Sequence, residues 1–136
     1  MQISSRFTVA LHIFTCVDTF KDEYKVTSDF LAASIGTNPV IVRKILTQLK
    51  SAGLITVARG TGGISPTKKL AEITFYDVYR AIEPLEDGEL FHFHENPNPM
   101  CAVGRNIHAL LDDKLMNIQN AMEEEMKKYR SEEHTS

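Results

Sequence analysis

A chain of 136 residues with 43% hydrophobic side chains fits one domain with a real core, or one domain plus an appended helix. No apolar run approaches the roughly 18 residues a membrane span needs, and the stretch after Arg6 is broken by His12 and Asp18, unlike a signal peptide, so the reading is a cytoplasmic protein. Two cysteines, Cys16 and Cys101, are too few and too far apart for a disulfide framework, and a net charge of −3 hides a split: residues 1–70 carry nine basic and four acidic side chains, residues 71–136 six and fourteen.

Ser4 or Ser5 can cap a first helix running to about Phe20, with Phe7, Leu11 and Phe14 marking its period. Thr27 and Ser28 suit the start of a short second helix, Asp29 to Ile35, which Gly36 stops. Asn38 is a good N-cap, and Pro39 sits where its missing N–H does no harm. The third helix is predicted to reach about Ala52, with Gly53 past its end. Val42, Ile45, Leu46 and Leu49 fall at i, i+3, i+4 and i+7, a single buried stripe. Val40, Arg43, Lys44 and Thr47 are left together on the opposite side.

Leu54 to Ala58 is rich in β-branched residues and reads as a strand. Arg59 to Gly63 forms a turn, and Ile64-Ser65 begins a return strand that Pro66 cuts short. Thr74 caps a fourth helix, Phe75 to about Glu83, with Phe75, Val78 and Ile82 inward. Residues 84–100 contain Pro84, Gly88, Pro97 and Pro99 and read as an irregular linker. A long last helix is predicted over 101–130, with Ile107, Leu111, Leu115, Ile118, Met122 and Met126 spaced by three or four residues; 131–136 form a polar tail. The fold class expected is mainly α with a small β-hairpin. Residues 1–83 make a winged helix-turn-helix domain, and the long C-terminal helix serves dimerisation.

Exposed residues carry the functional reading. A recognition helix needs short polar, basic or methyl-bearing groups near its N-terminus, where they reach base edges in the major groove. Val40, Arg43, Lys44 and Thr47 fit that need, and backbone N–H groups near Thr37 and Asn38 can take a phosphate. Arg59 precedes a glycine-rich turn, with Gly62 and Gly63, that suits a minor groove or the phosphate backbone. Ser4, Ser5, Arg6, Ser28, Lys68 and Lys69 are candidate phosphate contacts. Taken singly, a Gly-Gly turn is usually only a hairpin and Arg43-Lys44 only a solvated face; their order on the basic half points to double-stranded DNA.

Ala52-Gly53-Leu54-Ile55, then Arg59-Gly60-Thr61-Gly62-Gly63-Ile64, then Glu72 to Val78, resemble the BadM/Rrf-type winged-helix regulators, the IscR-, NsrR- and CymR-like bacterial repressors. Asn98-Pro99-Met100-Cys101-Ala102-Val103-Gly104 looks like a YwnA-like subgroup of that family. The resemblance covers about residues 1–130 and implies a homodimer on an inverted-repeat operator, with DNA contact carried onto Thr37, Asn38, Val40, Arg43, Lys44 and Arg59. Iron–sulfur members hold a cluster with three closely spaced cysteines before the long helix; here only Cys101 stands there, so no cofactor is expected.

The last helix is predicted to outrun so small a domain, and its stripe asks for a second chain as cover. Cys101 at the helix start is either a sensor thiol or a small packed residue. His92, His94, Cys101 and His108 match no familiar metal spacing, so no metal site is expected. A small-molecule or redox effector would sit between the long helix and the winged domain, near Phe91 and Phe93. The competing reading is a winged-helix module for protein–protein contact without specific DNA binding. No nucleophile–base pair, phosphate-cradling loop or paired carboxylates support an enzyme.

Overall fold

The computed structural model describes residues 4–20, 22–83, 91 and 97–131. In chain order these form α1 (Ser5–Phe20), α2 (Ser28–Ile35), α3 (Pro39–Ser51), β1 (Ile55–Val57), β2 (Ile64–Pro66), a 3-10 turn (Leu70–Glu72), α4 (Phe75–Ile82), α5 (Ala102–Arg105) and α6 (Ile107–Met126).

Local signals set the helix-turn-helix. Thr27 accepts from the Phe30 N–H at 3.2 Å to start α2, and Gly36 closes it in the left-handed region at φ 78°. Thr37 N–H then donates to Ala32 O at 3.1 Å, folding the turn back on α2. Asn38 Oδ1 accepts from Val40 N–H at 2.8 Å, and Pro39 occupies the first turn of α3. The predicted stripe of Val42, Ile45, Leu46 and Leu49 is buried. It joins Ile13, Phe14 and Val17 of α1, Leu31 of α2, and Ile73 and Val78 at α4. Burial of each such side chain stabilises by roughly 1.5–3 kcal/mol, so this core fixes the rotation of α3 about its own axis.

The hairpin pairs Ile55 with Pro66, Thr56 with Ser65 and Val57 with Ile64. Pro66, lacking an N–H, closes the ladder, and each strand has three residues. Ile64 N–H donates to Val26 O at 2.9 Å, tying the hairpin to the segment that leads into α2.

A full capping box opens α4: Thr74 Oγ1 accepts from Asp77 N–H at 3.1 Å, and Asp77 Oδ2 accepts from Thr74 N–H at 3.0 Å. Thr74→Ala is therefore expected to cost about 1 kcal/mol. A lowered urea midpoint at unchanged slope would register it.

The single helix predicted over 101–130 needs correction at both ends. Asn106 interrupts it at φ −114°, ψ 13°. Its side chain donates to Ala102 O at 2.7 Å, while its own N–H turns to Val103 O at 3.1 Å, so the i→i−4 pattern fails there. At the far end α6 stops at Met126, because the backbone beyond it pairs with the start of α4. Phe75 N–H donates to Tyr129 O at 3.0 Å and Ser131 N–H to Ile73 O at 2.9 Å, around a bridge between Thr74 and Arg130. Ser131, expected to begin the polar tail, is thus buried and docked. The rest of that tail, 132–136, and most of the expected linker, 84–90 and 92–96, lie outside the described residues.

Candidate nucleic-acid interface

Once the stripe of α3 is buried, Val40, Arg43, Lys44 and Thr47 are all exposed on its other side. Thr47 Oγ1 donates to Arg43 O at 2.9 Å, which keeps the short side chain against the helix and leaves the face open. Val40 is 51% exposed at the helix start, an apolar group suited to a thymine methyl.

Beside this face runs a groove of about 540 Å³ between α3 and the hairpin, lined by Arg43, Thr47 and Lys50 on one wall and Gly60, Thr61 and Gly62 on the other. Ser28, with Thr27 and Asp29, closes one side of it. The tip turns through Gly60 and Gly62 at φ 78° and 70°, angles that side-chain-bearing residues rarely adopt. Gly62 N–H donates to Ala58 O at 2.9 Å and Ala58 N–H to Gly63 O at 2.8 Å, a tight tip in which Arg59 is exposed.

Other predicted contacts are placed differently. Ser4 donates from both its N–H and its hydroxyl to Glu83 Oε1 at 2.9 Å, so it clamps the start of α1 to the end of α4. Arg6 is exposed on α1 and does not line the groove. Thr37 and Asn38 are engaged in the turn and the cap, with Asn38 exposed. Lys68 borders a separate hollow with Asp77 and Arg80. Sequence reasoning missed Lys50 and Asp29. Lys50 lies seven positions after Arg43, so helical spacing alone could have placed it on the same wall. The Asp29 carboxylate stands 3.6 Å from the Arg43 guanidinium, a tertiary neighbourhood that no spacing announces.

None of the six apolar positions expected in the dimer seam enters the buried core. Ile107, Leu115, Met122 and Met126 are half-buried; the last two border an apolar hollow with Phe7, Phe75 and Tyr129. Leu111 and Ile118 point outward, at 36% and 56% exposure, and Leu110 and Met116, absent from the expected seam, are exposed as well. A second hollow, about 460 Å³, lies between Phe91 and α6, where His108, Asp112 and Gln119 line it. Phe93, His92 and His94 lie outside the described residues.

Cys101 is exposed, so the reading of it as a packed small residue is set aside. Backbone N–H groups of Gly104 and Val103 hold its thiol below the usual cysteine range. The turn around it depends on Gly104, where a Cβ would fall 2.5 Å from Asn98 O. Cys16 is buried, with its Sγ 3.5 Å from Ser34 Oγ. Titration with a thiol reagent at neutral pH should therefore label one cysteine rapidly in the folded protein and two in denaturant. Cys101→Ser should abolish the fast phase; a fast phase that survives would contradict the geometry.

Comparison with known proteins bears on what the groove meets. The Rrf2 family model, described as an iron-dependent transcriptional regulator, matches residues 3–133. YwnA of Bacillus subtilis (strain 168), named as an HTH-type transcriptional regulator, is 44% identical over 124 residues, which cover 91% of this chain and 90% of that protein. A crystal structure of a protein described as DNA-binding matches at 34% identity and TM-score 0.78, over 97% of this chain and all (100%) of that one. The structure of CymR (YrzC), described as the global cysteine regulator of B. subtilis, matches at 20% identity and TM-score 0.69, over 97% of this chain and 94% of that one, a likeness of fold.

The donor set here does not fit a cluster held by three thiolates, since the chain has two cysteines and one of them is in the core. Among the described residues no group of three or more His, Cys, Asp or Glu is placed to hold a metal ion. Among them, too, no helix is long and apolar enough to cross a membrane. With a family model spanning nearly the whole chain and a close relative at 44% identity, this winged-helix protein belongs to the Rrf2 family of DNA-binding transcriptional regulators.

Proposed function

We propose that the chain acts in the cytoplasm as a homodimeric repressor, not an enzyme, and reads an inverted-repeat operator. Each protomer would set α3 in the major groove and the Arg59 tip on the minor groove or backbone. The observation that carries this reading is α3 itself: one side is locked into the core, and the other exposes Val40, Arg43, Lys44 and Thr47, of which Arg43 and Thr47 line a groove walled by a glycine turn. Repression asks no more of such a protein than occupancy of its operator.

The dimer reading rests on α6. Its 20 residues span about 30 Å, and Leu110, Leu111 and Ile118 stay exposed on one side of it. A second copy of the same helix would cover them with twofold symmetry. The hollow beside Phe91 and the exposed Cys101 thiol are the places where a small-molecule or redox effector would act.

Binding of labelled duplex DNA across a salt series tests the reading. For the six or more phosphate contacts that two protomers would share, affinity should fall on the order of a thousandfold between about 50 and 200 mM salt. Arg59→Ala should lower both the affinity and the salt slope. An affinity for duplex DNA too weak to measure at low salt would return the protein to the class of winged-helix modules that contact other proteins.

A further inference from the structure

We infer that Asp29 is a specificity-determining positioning residue, holding the Arg43 guanidinium for a guanine and penalising DNA that offers that guanidinium only phosphate. The inference rests on the functional reading above. Asp29 is the one acidic side chain among the described residues that line the groove, whose other charged members are Arg43 and Lys50. A surface shaped only to hold phosphate gains nothing from a carboxylate there, because it repels the backbone it faces.

Two bland explanations for Asp29 are weak. As an acidic group in the first turn of α2 it favours the helix end, but Thr27 already caps that helix and a position facing away from the groove would serve equally. As an ion pair it adds little to stability, since the carboxylate and guanidinium are 80% and 58% exposed at 3.6 Å, longer than a direct charge-assisted hydrogen bond.

The pair makes sense when DNA closes over it. Arg carries five N–H donors in a rigid fork, so one edge can meet guanine O6 and N7 while another stays with a carboxylate. Expulsion of water strengthens the attraction between Asp29 and Arg43 and confines the fork to one direction. On a sequence without guanine at that position the fork has no base partner, and the nearby carboxylate still opposes the phosphates. Asp29 thus lowers affinity for DNA in general and raises the contrast between right and wrong sites.

A double-mutant cycle on the full-length protein tests this. The probes are a duplex enriched by the wild-type protein from a randomised pool and a scrambled duplex of equal length. Asp29→Asn should tighten binding to the scrambled duplex and reduce the ratio of the two affinities about tenfold, the value of one modest base contact. Asp29→Ser, which keeps a good residue for a helix start, should do the same, and Asp29→Glu should restore part of the ratio. In an Arg43→Ala background Asp29→Asn should leave the ratio unchanged. Equal tightening on both duplexes would reduce Asp29 to a plain charge and overturn the inference. A ratio change that persists without Arg43 would overturn it too, by making Asp29 the reader of a base. If the wild type enriches no sequence, the functional reading fails first and this inference falls with it.

Discussion

Arg43→Ala is expected to cost about 1–3 kcal/mol of sequence discrimination per half-site, and so about 2–6 kcal/mol on an operator that meets two protomers. Arg43 is 58% exposed on the open face of α3, and the core holding that helix contains none of its atoms. The substitution should therefore leave the thermal midpoint nearly unchanged while operator affinity falls by between about thirtyfold and about twenty-five-thousandfold. Lys44→Ala on the same face is the useful contrast. A lysine acting on phosphate should weaken operator and scrambled duplex alike and lower the salt slope by about one per protomer. Competition binding of both variants on both duplexes separates the two outcomes. An Arg43→Ala loss that is equal on both duplexes would make Arg43 a backbone contact.

Ile118→Glu should yield a folded monomer. Ile118 is 56% exposed on α6, so a glutamate there meets water in the isolated protomer and disturbs little. In a twofold dimer two such carboxylates would be buried close together without partners, at several kcal/mol each. Sedimentation equilibrium at micromolar concentration should give about twice 15.3 kDa for the wild type and 15.3 kDa for the variant, with duplex affinity reduced in step. A wild type that sediments as a monomer would remove the dimer from the proposal.

The first half of the fold was legible because its signals are local. Thr27, Gly36 and Asn38-Pro39 each fix a boundary within a few residues of themselves, and the stripe on α3 sets which side faces out. The short hairpin was legible from Pro66. Legibility ended where contacts became distant in sequence. The apolar stripe begins only at Ile107, and the predicted helix extends back across Asn106 to Cys101 because no proline stands between them to mark the break between α5 and α6. The pairing of residues 73–75 with 129–131, which ends α6, joins two segments on either side of the whole second half. Cys101 was expected to head one long helix; it heads instead α5, a single turn in which Gly104 packs closely against Asn98. At the interface, Arg43 and Thr47 were found by period. Asp29 was missed because only the packing of α2 on α3 brings it to Arg43.

Selection from a pool of randomised duplexes by the wild-type protein tests whether two protomers read an inverted repeat. The enriched duplexes should carry an inverted repeat whose half-sites lie about one or two helical turns apart, each with a guanine fixed where Arg43 would reach. A pool that stays random after repeated rounds, or that converges on a single site without symmetry, would contradict that reading.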